Sequence, residues 1–207
     1  MNRVYRLFDV MIAAGALLVA MPVLAIVAVA LRLETPGPMI FRQQRLGMGK
    51  RPFTVYKLRT MCAEADPTVH REYVRQLVDG KERQQSDGGQ NLYKLVADDR
   101  ITRVGRVLRR LSLDEIPQLY NVLRGEMSIV GPRPVISYEA EIYPPAYDRR
   151  FQVRPGLTGL WQVSGRSTRT YHQMVMMDIE WVEQRSLRLY LSIVARTPRA
   201  LLGRTAA

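Results

Sequence analysis

The sequence predicts a mainly helical α+β protein, a single monotopic domain with an N-terminal re-entrant membrane helix kinked at Pro22 and a small β-hairpin. Three observations predict it. An uninterrupted apolar run from Val10 to Leu31 has roughly the 20-residue span of a bilayer core. Two strand-like runs flank a glycine-containing turn just after it. From residue 99 onward, apolar residues recur mostly at helical spacing. At 207 residues the rest of the chain suits one compact unit, so residues 1–35 form the anchor and 36–207 the catalytic-sized domain.

The anchor admits three readings. Arg3 and Arg6 precede the run and Ala28-Val29-Ala30 resembles a small-residue cleavage site, as in a secretory signal. A plain transmembrane helix is the second reading. The third enters the bilayer and returns. The run is long for a signal, and a mid-helix proline costs about 3 kcal/mol through a lost hydrogen bond and a clash one turn back. Pro22 therefore marks a kink. Arg3 and Arg6 lie before the run and Arg32, Arg42 and Arg45 after it. Basic flanks prefer the cytoplasmic side, and only a re-entrant segment puts both flanks there.

Beyond the anchor, Thr35-Pro36-Gly37-Pro38 stops the helix. A hairpin is expected over 40–46 and 53–58 with its turn at Gly47-Met48-Gly49. A helix is expected over 63–77 and an exposed polar loop over 79–91. In the next helix Ile101, Val104, Leu108 and Leu111 share one face, with Arg103, Arg106 and Arg110 on the other. A short helix follows over 114–123, and two more, over 171–184 and 187–202, close the sequence.

Charge narrows the partners. Thirty-one Lys and Arg face 19 Asp and Glu, a formal net charge of +12, which calls for anionic partners: nucleic acid, phosphorylated substrate or acidic membrane. Cys62 is the only cysteine and the histidines, His70 and His172, are far apart. An intrachain disulfide and a cysteine-based zinc site are thereby excluded, the separation of the histidines argues against a histidine metal cluster, and any metal should be a hard cation on oxygen ligands.

Three clusters could carry chemistry. Strand alternation puts Lys57 and Arg59 on one face, spaced for two phosphates, although edge-strand charges often serve only to block pairing. Asp114 and Glu115 follow Arg109 and Arg110, with Ser112 placed to cap the helix they begin. Acidic residues there could simply answer the helix dipole, yet a carboxylate amid arginines stays ionised and could attack phosphorus or hold Mg²⁺. In Gly131-Pro132-Arg133-Pro134 two prolines stiffen the backbone around one guanidinium, which suits a phosphate clamp or a plain turn.

Together with the anchor, the segments GPMIFRQQRLGMGKRPFTVYKLRTM, DDRITRVGRVLRRLSLDEIPQLYNVLRGEMSIVGPRP and RPGLTGLWQVSGRS resemble the bacterial sugar transferases of the monotopic phosphoglycosyl transferase superfamily. The likeness covers almost the whole chain. It suggests a member reduced to its catalytic unit, similar to the exopolysaccharide-initiating enzymes.

The resemblance implies that Asp114 and Glu115 are the catalytic dyad, with Asp114 attacking a UDP-sugar, expelling UMP and forming a phosphosugar-aspartyl intermediate. Polyprenyl (undecaprenyl) phosphate would then take the sugar phosphate. It implies Mg²⁺ held partly by Asp114, phosphate contacts from Arg109 and Arg133, and Lys57 and Arg59 near substrate or the membrane interface. Pro22 matches the proline that breaks the family's anchor. It further implies the cytosolic face of a bacterial inner membrane, anionic lipid and a homodimer as partners, and no nucleic acid. Two departures stand out: Met21 replaces a serine common before the proline, and Tyr190 replaces a common aspartate. The rival readings are a non-catalytic basic membrane-tethered binding protein, a UDP-releasing glycosyltransferase and a secreted basic protein. The donor sugar is not legible.

Overall fold

The computed structural model describes residues 2–62, 100–165 and 169–202. The helix expected over 63–77 and the loop over 79–91 lie outside the described residues.

Helix α1 runs from Asn2 to Glu34 as one helical element of 33 residues with Pro22 inside it. At 1.5 Å per residue it is about 50 Å long, more than enough to cross a bilayer core. Its packing is confined to its two ends. Near the start, Tyr5, Phe8, Ile12, Ala13, Ala16 and Leu17 join the main core with Val122, Met127, Ile129, Trp181, Tyr190 and Ile193. Near the finish, Val27 and Leu31 pack on Leu58 and Leu108. Between them Leu18, Val19, Met21 and Val23 are exposed.

The hairpin forms as expected. Strand β1 (Ile40–Leu46) pairs antiparallel with β2 (Pro52–Leu58), and Gly49 takes the positive φ the turn needs. Helix α2 (Arg103–Leu111) is capped by Thr102, whose hydroxyl accepts from the Gly105 amide. The expected apolar face holds only in part. Leu108 is buried, Ile101 forms a β-bridge with Met61 outside the helix, and Leu111 is 46% exposed because the helix ends there.

Two further expectations fail. Residues 114–123 do not make one helix: a 3-10 turn (Leu113–Glu115) precedes α3 (Gln118–Arg124). Pro117 has no N–H to close a helical bond, so it can only stand at the head of the second element. Ser112 is no side-chain cap either. It ends α2 in the left-handed conformation (φ 57°), its amide closing onto the Arg109 carbonyl.

Strand β3 (Ser128–Val130) pairs in parallel with β4 (Gly156–Thr158). Gly156 is obligatory there: a Cβ on it would sit 2.0 Å from the Gly131 nitrogen. Short helices α4 (Ser137–Glu141) and α5 (Leu160–Val163) follow β3 and β4 respectively. Helices α6 (Tyr171–Gln184) and α7 (Leu187–Leu202) then close the core with the bounds expected from sequence. A capping box at Thr170 and Gln173 starts α6.

Candidate active site

The site is assembled from four segments. Helix α2 delivers Arg109 in its last turn, and the sharp exit through Ser112 presents Asp114 and Glu115 together on the 3-10 turn. Strand β2 delivers Lys57, whose Nζ donates to Glu115 Oε1 at 3.0 Å. Both partners are about a third exposed, so this pair positions more than it stabilises. Arg109 donates through Nε to Thr60 Oγ1 at 2.9 Å, tying the end of α2 to the chain leaving β2. Close packing allows this: a Cβ on Gly105 would lie 2.2 Å from the Thr60 carbonyl oxygen.

The third segment is the loop after β3 that carries Arg133. Its backbone is held, not its side chain. The Arg133 amide donates to Asp178 Oδ2 at 3.3 Å, and its carbonyl accepts from Arg150 Nη2 at 3.1 Å. Among the described residues the Arg133 guanidinium makes no hydrogen bond, which leaves its fork for a ligand. Burial pulls its pKa down more than any one neighbour acts on it, but Glu139, Tyr171 and Tyr143 together outweigh that and the pKa is raised.

The fourth is β1, through Arg45, which sequence reasoning missed. Its guanidinium is buried, donating to Gln43 Oε1 and, at 3.2 Å, to the Pro134 carbonyl. Burial and the neighbouring Arg133 lower its pKa to about 10, while Glu139 and Glu115 pull the other way. It therefore stays charged near neutrality and links the dyad electrostatically to the Arg133 loop. Behind that loop, Arg150 and Asp178 form a buried ion pair at 2.6 Å. In the sequence Arg45 was used only as a basic flank of the anchor, and Arg150, in the run Asp148-Arg149-Arg150, looks like a solvated charge. Nothing local marks either as interior.

Arg59 does not join this group. Strand β2 ends at Leu58, so the expected alternation stops before it. Its guanidinium is buried against the exit of α1, donating to the carbonyls of Pro36 and Thr35 and to Thr35 Oγ1. Of the two places expected for the Lys57 and Arg59 pair, Lys57 takes the dyad and Arg59 the root of the anchor. Asp114 and Glu115, both partly exposed, supply the hard oxygen donors suited to Mg²⁺, which usually takes one or two carboxylates and draws its other ligands from phosphates and water.

Residues 1–204 match the family described as bacterial sugar transferase. The chain belongs to that family. The sugar transferase is 44% identical to the UDP-glucose:undecaprenyl-phosphate glucose-1-phosphate transferase of Caulobacter vibrioides, over 95% of this chain and 69% of the relative. It is 40% identical to the exopolysaccharide production protein ExoY of Rhizobium meliloti, over 96% of this chain and 86% of that one. It is 36% identical to the undecaprenyl-phosphate galactose phosphotransferase of Salmonella typhimurium, where the match covers 98% of this chain but 41% of the relative. The transferase thus joins Lys57 to Glu115 on the Asp114 turn, with Arg45 coupled electrostatically to both Glu115 and Arg133, Arg109 tied to Thr60 at the end of α2, and Arg59 set apart.

Proposed function

We propose that this sugar transferase moves a sugar 1-phosphate from a UDP-sugar to polyprenyl phosphate through a covalent intermediate on Asp114. The observation that carries the reading is the Asp114-Glu115 turn with Lys57 bound to Glu115 and Arg45 electrostatically coupled to both Glu115 and Arg133, whose fork is free of hydrogen bonds among the described residues. The printed names of the relatives support the donor and acceptor classes.

An Asp114 carboxylate oxygen attacks the sugar-bearing phosphorus. The bond from that phosphorus to the bridging oxygen breaks, and UMP leaves with the oxygen. A phosphate oxygen of the polyprenyl acceptor then attacks the same phosphorus and frees the Asp114 carboxylate. Arg133 and Arg109 stabilise the charge that spreads over the phosphoryl oxygens, and Lys57 orients Glu115. Mg²⁺, held by Asp114 with help from Glu115, would supply further charge neutralisation on the diphosphate.

The anchor supports a cytosolic, monotopic setting. Its two ends dock on one domain and its middle is bare, which suits a helix that enters one leaflet and returns. Basic residues beside it draw the domain to anionic lipid at about 1 kcal/mol each.

The test is nucleotide release by purified protein with polyprenyl phosphate, Mg²⁺ and a panel of UDP-hexoses, for wild type and Asp114→Asn. UMP release that disappears in the variant, with a phosphosugar adduct on Asp114 by mass spectrometry, is expected. UDP release, or UMP release surviving the substitution, overturns the mechanism.

A further inference from the structure

The two ends of α1 do more than pack. Each carries a carboxylate that grips a segment of the site. At the far end, Glu34 accepts from the amides of Arg103 (2.6 Å to Oε1) and Val104 (3.0 Å to Oε2), the first residues of α2. A bidentate carboxylate there satisfies two orphan donors and meets the positive end of the helix. Helix α2 runs nine residues from that grip to Leu111, carrying Arg109, and leads directly into the Asp114 turn.

At the near end, Asp9 is 2% exposed. Its Oδ1 accepts from Ser128 Oγ (2.9 Å), the Ile129 amide (2.8 Å) and the Tyr190 hydroxyl (2.9 Å). Ser128 and Ile129 begin β3, the strand that runs into the Arg133 loop. One turn earlier, Arg6 donates to the carbonyls of Val122 and Leu123, at the C-terminal end of α3. Arg59 completes the pattern at the anchor's exit, through Thr35 and Pro36.

We infer that α1 is a strut as well as a tether, and that Asp9 and Glu34 are positioning residues. Glu34 sets the segment bearing Arg109 and the Asp114 turn, and Asp9 sets the strand that leads into the Arg133 loop. Relative placement of the two halves of the site then depends on the shape of α1 between its grips, the exposed stretch around Pro22. Tyr190 acquires a role on this account: its hydroxyl is one of the three donors that hold Asp9 down. The catalytic half of the inference rests on the transfer reaction proposed above; the positioning half does not.

The experiment uses the full chain in vesicles of phosphatidylethanolamine and phosphatidylglycerol, comparing wild type with Glu34→Gln and Asp9→Asn. Amide hydrogen exchange reads positioning without reference to any reaction. Exchange over residues 103–115 is expected to accelerate about tenfold or more in Glu34→Gln, and over 128–133 in Asp9→Asn. Each variant should leave the other's segment, and α6, at the wild-type rate. UMP release should show kcat falling about 10-fold to 100-fold, with the KM for the UDP-sugar changed less than threefold.

Acceleration spread evenly over the chain, or none in the gripped segments, overturns the inference. So does local acceleration with unchanged kcat. If wild type releases no UMP, the proposed reaction fails and the exchange pattern still decides the strut. Should either variant not fold, Glu34→Asp and Tyr190→Phe carry the same comparison, each keeping the carboxylate charge while weakening one grip.

Discussion

Replacing Arg150 by Met tests the ion pair behind the Arg133 loop. Arg150 is 4% exposed, and its Nη2 lies 2.6 Å from Asp178 Oδ2. It also donates to Tyr143 Oη and to the Arg133 carbonyl, both at 3.1 Å. Asp178 is 1% exposed, and among the described residues its Oδ1 has no hydrogen-bond partner. Without Arg150 it would be a buried charge with the Arg133 amide as its hydrogen-bond donor. Breaking a buried pair from one side costs about 3–5 kcal/mol, because the remaining charge is stranded. For a domain of this size that corresponds to a fall in Tm of roughly 6–20 °C. Removing both charges with Arg150→Met and Asp178→Leu strands neither. What remains, beyond the Arg133 carbonyl that the single variant also leaves without its donor, is an Arg133 amide without its acceptor, about 1–2 kcal/mol. The double variant should therefore melt above the single one by several degrees. Thermal unfolding in detergent, followed by circular dichroism, checks both. A single variant costing under about 1 kcal/mol, or a double variant no more stable than the single, would refute the reasoning.

Three further outcomes are expected. Gly105→Ala puts a methyl 2.2 Å from the Thr60 carbonyl oxygen, so α2 must move off β2; stability should drop by about 1–3 kcal/mol and UMP release should weaken with the dyad chemically intact. Asn121→Leu removes a fully buried amide that accepts from the Tyr56 amide and donates to the Thr54 carbonyl; the two stranded backbone groups should cost about 2–4 kcal/mol in a denaturant titration. Leu18→Glu with Val19→Glu places acids on side chains 70% and 77% exposed, at about 2.5–3.5 kcal/mol each if they lie in lipid. That protein should float less with vesicles while its melting in detergent stays within a degree or two of wild type.

Much was legible in the sequence because the physics is local. An apolar run of about a bilayer core's span, two strand-like runs around a glycine turn, and the helical spacing over 171–184 need nothing distant to be read. The Asp114 turn was likewise found as a carboxylate pair beside arginines. Charge alone reads both flanks of the anchor onto one side of the membrane.

What only the tertiary structure decided concerns charges whose partners lie far along the chain. Arg59 looks like a second phosphate ligand, yet its strand ends one residue earlier and the α1 exit offers it three oxygens. Arg45 and Arg150 look like surface charges until Glu139 and Asp178, 94 and 28 residues away in sequence, compensate them. Asp9 and Glu34 look like ordinary polar residues in and after a membrane segment until β3 and α2 bring unsatisfied amides to them. A buried charge is tolerable only where the fold supplies its counter-charge or its donors, and that pairing cannot be read from neighbours in sequence. Sequence determined most of the elements and the carboxylate pair of the Asp114 turn; long-range hydrogen bonds determined which charges gather at that turn and which brace other parts of the fold.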